Sequence, residues 1–151
     1  LLDLAEAGVT EDKQIMALPW IDAPRPELLA RGRDILIRAQ ALQVTPRGRS
    51  WRLTRRGKEM GRFPIHPRLA HMILQARAVS SSLAGDACDL AALLQEVELL
   101  RGGRNRHGTD LQARLDALHG GTAGAVALPA VKDRVLKASS QLQGILGLGQ
   151  A

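Results

Sequence analysis

Along most of the chain apolar residues recur at the three-to-four spacing of helices, and only one short stretch alternates as strands do. Residues 1–7 read as a short helix closed by Gly8 in a left-handed cap, and 10–18 as a second short helix or turn. Residues 20–26, with Pro24 and Pro26, form a stiff connector. A longer helix is predicted from Pro26 to about Ala41, with Leu28, Ile35 and Leu42 in one row and Leu29 and Leu36 beside it. Val44-Thr45 and Trp51-Arg52-Leu53 then suit a small hairpin around the loop 46–50.

Thr54 is a candidate N-cap for a short basic helix, and Pro64 stops that helix because it lacks an N–H and restricts the residue before it. Pro67 suits the first position of the next helix, whose buried face is predicted to be Leu69, Met72, Ile73 and Ala76. Beyond Pro67 the pattern is wholly helical. Ala84, Ala87, Cys88 and Ala91, with Leu90, Leu93, Leu94 and Val97, make a broad apolar face rich in small residues. Ser80 to Ser82 and residues 101–108 read as loops, and Thr109 and Gln112 have capping-box spacing before a helix lined by Leu111, Leu115 and Leu118. Residues 120–124 break the chain. Pro129 opens a last helix with Val131, Val135, Ala138, Leu142 and Ile145 on one face.

These elements imply a mainly α fold: a small winged-helix domain over residues 1–66, with a short β-hairpin, followed by a helical bundle over 67–151. With 45% hydrophobic residues but only Trp20, Trp51 and Phe63 aromatic, the core must be aliphatic. The single Cys88 excludes an internal disulfide and fits a reducing, cytoplasmic setting. No apolar run approaches the ~20 residues of a membrane helix, so no membrane partner is expected. The chain begins without Met and already inside an apolar pattern, which reads as a piece of something larger.

Charge sharpens the picture. The net charge of +6 is uneven: residues 1–24 carry −4, 25–77 carry +10 and 78–151 are neutral. Twelve of the thirteen cations in the middle segment are arginine, whose planar fork matches phosphate. Arg47, Arg49 and Arg52 fall on the proposed wing, Arg55, Arg56, Lys58 and Arg62 on the short helix, and Arg68 at the domain junction. These eight are the candidate nucleic-acid ligands, for phosphate contact in particular; an acidic surface of a neighbouring domain is the other anion that would satisfy them.

Catalytic chemistry is not expected in this sequence. The one Gly-Lys, Gly57-Lys58, is followed by Glu59 and has Arg52 where a P-loop's first glycine belongs, and no Asp-Glu pair occurs. His66, His71, His107 and His119 lack metal-ligand spacing, so no metal is expected. Cys88 among alanines reads as a small core residue, and Trp51 as core before base-stacking platform. The Arg101-Gly102-Gly103 triplet is a weak RNA signal, and the 120–124 glycine run lacks the strand that a phosphate cradle requires.

The order Leu53-Thr54, Gly57, Met60, Pro64, then His66-Pro67-Arg68-Leu69-Ala70 and Met72 resembles the junction between the winged-helix and helical ratchet domains of DEAH-box (DEAH/RHA) helicases, in its HrpB-type form. Ala87 to Leu94 is similar to the ratchet domain's second signature; Gly57-Lys58 stands where the family usually has Gly-Arg, and Asp22-Ala23-Pro24 where it has Asp-Pro-Pro. The resemblance covers most of residues 1–120 and implies an accessory segment that guides single-stranded RNA or DNA. ATP and Mg²⁺ would act in upstream RecA-like domains, the segment itself holding no cofactor. The rival readings are a winged-helix DNA-binding regulator with a helical dimerisation domain, and a basic protein–protein docking module.

Overall fold

The computed structural model describes residues 1–46, 48, 50–95, 111–120 and 128–148. These are mainly helical, with one two-stranded antiparallel hairpin. The chain divides into two compact units, residues 1–71 and 72–151, a boundary a few residues beyond the 66/67 expected from sequence.

In the first unit, α1 (Leu2–Glu6), α2 (Asp12–Met16) and α3 (Pro26–Arg38) precede β1 (Leu42–Val44) and β2 (Trp51–Leu53), and α4 (Arg55–Gly61) follows directly. Gly8 is left-handed, with φ of 88°, and its N–H and that of Val9 close the end of α1 on the carbonyls of Ala5 and Leu4. The end of α3 repeats that closure without glycine. Gln40 takes φ of 58°, and the Gln40 and Ala41 N–H groups bond Ile37 and Leu36 carbonyls at 2.9 and 2.8 Å.

This left-handed residue corrects the expected helix to Ala41. It ends α3 at Arg38 and turns the chain so that Leu42 starts a strand. The buried row of α3 is Leu29 and Leu36, while Leu28 is 58% exposed. Adjacent residues differ by about 100° around a helix, so the two rows could not both face the core.

The hairpin pairs Leu42 with Leu53, Gln43 with Arg52 and Val44 with Trp51, so the first strand lies earlier than the Val44-Thr45 expected. Thr45 begins the turn instead, its N–H donating to Ser50 O at 2.9 Å. Trp51 is core, at 4% exposure, and lies beneath the Arg33 guanidinium, 5.5 Å from the ring centre. Arg33 also pairs with Asp12 and so joins α2, α3 and β2. Packing of α1 on β2 and α4, and of α3 on β1, completes this unit.

Helix α5 (Pro67–Val79) starts where the proline requires, and the division between units falls inside it. Its buried residues are Ala70, Ile73 and Ala76, with Leu69 and Met72 only partly covered. In the second unit α6 (Ser81–Gln95) packs on α7 (Leu111–Leu118) and α8 (Pro129–Leu146). The expected Ser80–Ser82 loop is instead a helix start: Ser80 caps α6, its hydroxyl accepting from Leu83 N–H at 3.1 Å, and Ser81 and Ser82 are helical.

Ala84, Ala87, Cys88, Ala91 and Ala92 are buried along α6, and their small side chains let neighbouring helices approach. Ala92, Leu93, Ala117, Leu118, Val131 and Val135 form one cluster. Leu94, expected in the core, is exposed, and Ser139 and Leu146 replace Ala138 and Ile145 in the fully buried row of α8. The Arg77 guanidinium donates to Leu146 O, a cation at the negative end of α8. Val97, Thr109, His107 and the 101–108 loop lie outside the described residues, as does most of the 120–124 glycine run.

Candidate nucleic-acid interface

The basic face is positioned by one tight junction. Thr54 caps α4 as its sequence position suggests: its hydroxyl accepts from Gly57 N–H at 2.9 Å and donates toward Gln40 O at 2.6 Å, while its own N–H bonds Ala41 O at 3.0 Å. Gly57 rests directly on the end of α3. A β-carbon there would lie 2.3 Å from Ala41 O and 2.6 Å from Leu53 Cδ1, so only glycine fits.

With its first turn clamped, α4 holds Arg55, Lys58 and Arg62 at i, i+3 and i+7, all exposed. Arg55 pairs with Glu59 at 3.1 Å, but at 94% exposure this is a weak, salt-screened contact that an anion can displace. Arg52 projects from the opposite face of β2 to Trp51 and is held by Gln43 Oε1 at 2.7 and 3.1 Å. Arg47 and Arg49 lie outside the described residues.

Arg56 is set apart from this row. It is only partly exposed, its Nε and Nη2 are removed from solvent with no hydrogen-bond partner, and its charge acts on His71. Arg68, on the first turn of α5, lines a pocket of about 390 Å³ together with Ile35, Arg38, Ala39 and His71. Burial, then the Arg56 charge, lower the His71 pKa, while a hydrogen bond to the backbone of Ala39 works against them; the imidazole is therefore neutral at pH 7. Arg38 and His71 were not among the residues picked from the sequence. Their signals were present, in an arginine ending α3 and a histidine one turn after Arg68, but only the fold brings the two helix ends together.

His66 sits just before α5, and its Nδ1 accepts from Arg68 N–H at 3.2 Å, which makes it a cap and not a ligand. Among the described residues no cluster of His, Cys, Asp and Glu could hold a metal, and no helix is long and apolar enough to cross a membrane.

The second unit contains a polar group the sequence pattern did not reveal. Buried Asp89 accepts from the Ser139 hydroxyl and bonds His119 Nε2 at 3.0 Å. The carboxylate, not the imidazole, is the middle member, and Ser139 is buried, so no nucleophile is activated. Burial, reinforced by Asp89, pushes the neighbouring Cys88 thiol up to about 11, which makes it unreactive.

A small unit with a basic hairpin and capped helices, followed by a helical unit, is a winged-helix-and-bundle arrangement. The crystal structure of the E. coli DExH-box NTPase HrpB contains a similar segment, with a TM-score of 0.67 and 25% sequence identity over 97% of this chain. The chain spans 14% of that protein's length. No family model and no curated protein matches the sequence.

Proposed function

We propose that this chain is an accessory segment of an HrpB-like DEAH-box helicase, guiding single-stranded RNA or DNA while RecA-like domains outside this sequence hydrolyse ATP with Mg²⁺. The likeness to HrpB over nearly the whole chain carries this reading. The concentration of +10 over residues 25–77 supports it, since a polyanion is the natural complement of such a face. Arg47, Arg49, Arg52, Arg55, Arg56, Lys58, Arg62 and Arg68 are the proposed ligands. Their contacts fall on phosphate and sugar, which hold a strand without reading its sequence. The cytoplasm is the proposed setting, and the RecA-like domains are the proposed protein partners.

The test is fluorescence anisotropy of the chain with labelled single-stranded RNA, single-stranded DNA and duplex DNA over a salt series. With about four or five phosphates contacted, log affinity against log salt is expected to slope at roughly −3 on single strands. Arg52→Glu with Lys58→Glu, both at exposed positions, should abolish binding. Failure to bind any strand at low salt refutes strand guiding by this chain and leaves a neighbouring acidic domain as the partner of the basic face. Tight, sequence-selective binding to duplex favours the regulator instead.

A further inference from the structure

Three helices bring cations to the pocket lined by Ile35, Arg38, Ala39, Arg68 and His71. Arg38 comes from the last turn of α3, Arg68 and His71 from the first turns of α5, and Arg56 from α4 stands beside His71. Three other arginines of this unit have partners of their own. Arg33 has Asp12 and the Trp51 ring, Arg52 has Gln43, and Arg55 has Glu59. Among the described residues no carboxylate pairs with Arg38, Arg56 or Arg68. Arg38 makes only a long 3.4 Å bond to the Asp34 carbonyl, and the Arg56 Nε and Nη2 are shielded from water with no acceptor.

A shielded guanidinium with unmade hydrogen bonds is costly, and an anion beside it removes that cost. The pocket's volume of about 390 Å³ suits an anion carried on a larger group. The carbonyls at the end of α3 that would repel an anion are already engaged: those of Leu36 and Ile37 accept from Ala41 and Gln40. The start of α5 contributes the favourable end of a thirteen-residue helix dipole.

We infer that this pocket holds one phosphodiester group of the bound strand, with Arg38 and Arg68 as its direct ligands, His71 as a third donor and Arg56 supplying charge from behind. The inference rests on the strand-guiding function proposed above and adds Arg38 and His71 to it. A phosphate is favoured over a protein carboxylate because the cations come from three separate elements. A tetrahedral group offers oxygens in several directions, whereas a carboxylate offers two in one plane. Arg38, Arg56, Arg68 and the Ala39 backbone are among the groups that face His71; burial does most to keep its imidazole neutral and the Arg56 charge less, and an arriving anion offsets that charge. Strand binding therefore takes up a proton at His71 and strengthens as pH falls below the ordinary imidazole value of about 6.5.

The full chain, labelled for NMR, is titrated with inorganic phosphate and separately with a ten-nucleotide oligouridylate. Ring signals are followed from pH 5 to 8 and assigned with His71→Gln. The His71 midpoint should rise with either ligand. In parallel, anisotropy compares wild type with Arg38→Gln/Arg68→Gln and with Arg31→Gln, an exposed arginine of α3 outside the pocket. The double variant should keep its thermal midpoint, bind at least about fivefold more weakly and show a salt slope shallower by roughly 0.7–1, the share of one phosphate. Arg31→Gln should bind like wild type. If the double variant binds as wild type does, the pocket is not used, and strand guiding by α4 and the wing stands without it. If phosphate moves His71 but no strand binds the chain, both the phosphodiester assignment and the strand-guiding function are overturned.

Discussion

Gly57→Ala tests whether the α3–α4 junction is what fixes the basic face. In an ordinary helix the change would stabilise by about 1 kcal/mol, through helix propensity. Here the added methyl would sit 2.3 Å from Ala41 O and 2.6 Å from Leu53 Cδ1, and the first obstacle is backbone, which cannot rotate away. Forcing α4 off that carbonyl costs about 1–3 kcal/mol in overpacking. It also weakens the bonds from Thr54 N–H to Ala41 O (3.0 Å) and from Gly57 N–H to Thr54 Oγ1 (2.9 Å), at about 1 kcal/mol each. Steric and hydrogen-bond losses outweigh the propensity gain, leaving a net loss of about 2–4 kcal/mol. For a unit of this size that lowers the midpoint by roughly 10–30 °C. Both tryptophans, Trp20 and Trp51, lie in the first unit, so thermal unfolding followed by tryptophan fluorescence reports on it selectively. Gly61→Ala is the internal control: on the same helix, its methyl would meet nothing closer than Glu6 Oε2 at 3.5 Å, and stability should hold or rise slightly. A Gly57→Ala protein as stable as wild type would refute the clamp.

Gly85 lies inside α6 with open space where a β-carbon would go, so Gly85→Ala should stabilise the second unit by about 0.5–1 kcal/mol in a urea titration read by circular dichroism. The Cys88 thiol, raised from 9.0 to about 11 in the fold, favours the protonated native state. That unit should therefore lose stability as pH rises from 9 through 11, by an amount on the order of 2–3 kcal/mol, and native Cys88 should react with a disulfide reagent at pH 8 far more slowly than the unfolded chain. A native rate equal to the unfolded one would refute its burial. Asp89→Ala strands the Ser139 hydroxyl in the core and should cost about 2–3 kcal/mol, against less for Asp89→Asn, which keeps an acceptor. Both changes remove the charge beside Cys88 and should speed its reaction; an unchanged rate would show that Asp89 does not act on the thiol.

Signals that act locally were legible in the sequence. Thr54 capped the helix it preceded, Pro64 and Pro67 bounded the break they flanked, and Gly8 took the left-handed conformation. Each works within one turn of chain. Readings that failed depended on competition or distance. Leu28 and Leu29 fit the same helical period, and only packing on the hairpin decides which row faces inward. Gln40 adopts a conformation usual for glycine, so nothing in its identity announced the end of α3. The Asp89–Ser139–His119 group joins residues fifty positions apart, and each alone reads as an ordinary polar residue on a helix. The same holds for the pocket: Arg68 is a candidate ligand by its place at the junction, but nothing in the sequence joins Arg38 or His71 to it.

The geometry of the first unit also bears on the rival DNA-reading function. A helix that reads base edges in the major groove presents its N-terminal residues to the DNA, with side chains that can pair with bases. The N-terminal turn of α4 is pressed against Gln40 and Ala41 through Thr54 and Gly57, so it cannot lead into a groove. At seven residues the helix is only about 10 Å long, and its free face carries Arg55, Lys58 and Arg62, which suit phosphate. The helix ahead of the hairpin does no better. The exposed side of α3 offers Glu27, Arg31, Asp34 and Arg38, opposite charges three or four apart with no amide or hydroxyl among them. Under the proposed strand-guiding function, this set of cations, held at fixed positions by the α3–α4 junction, would grip a backbone of any sequence.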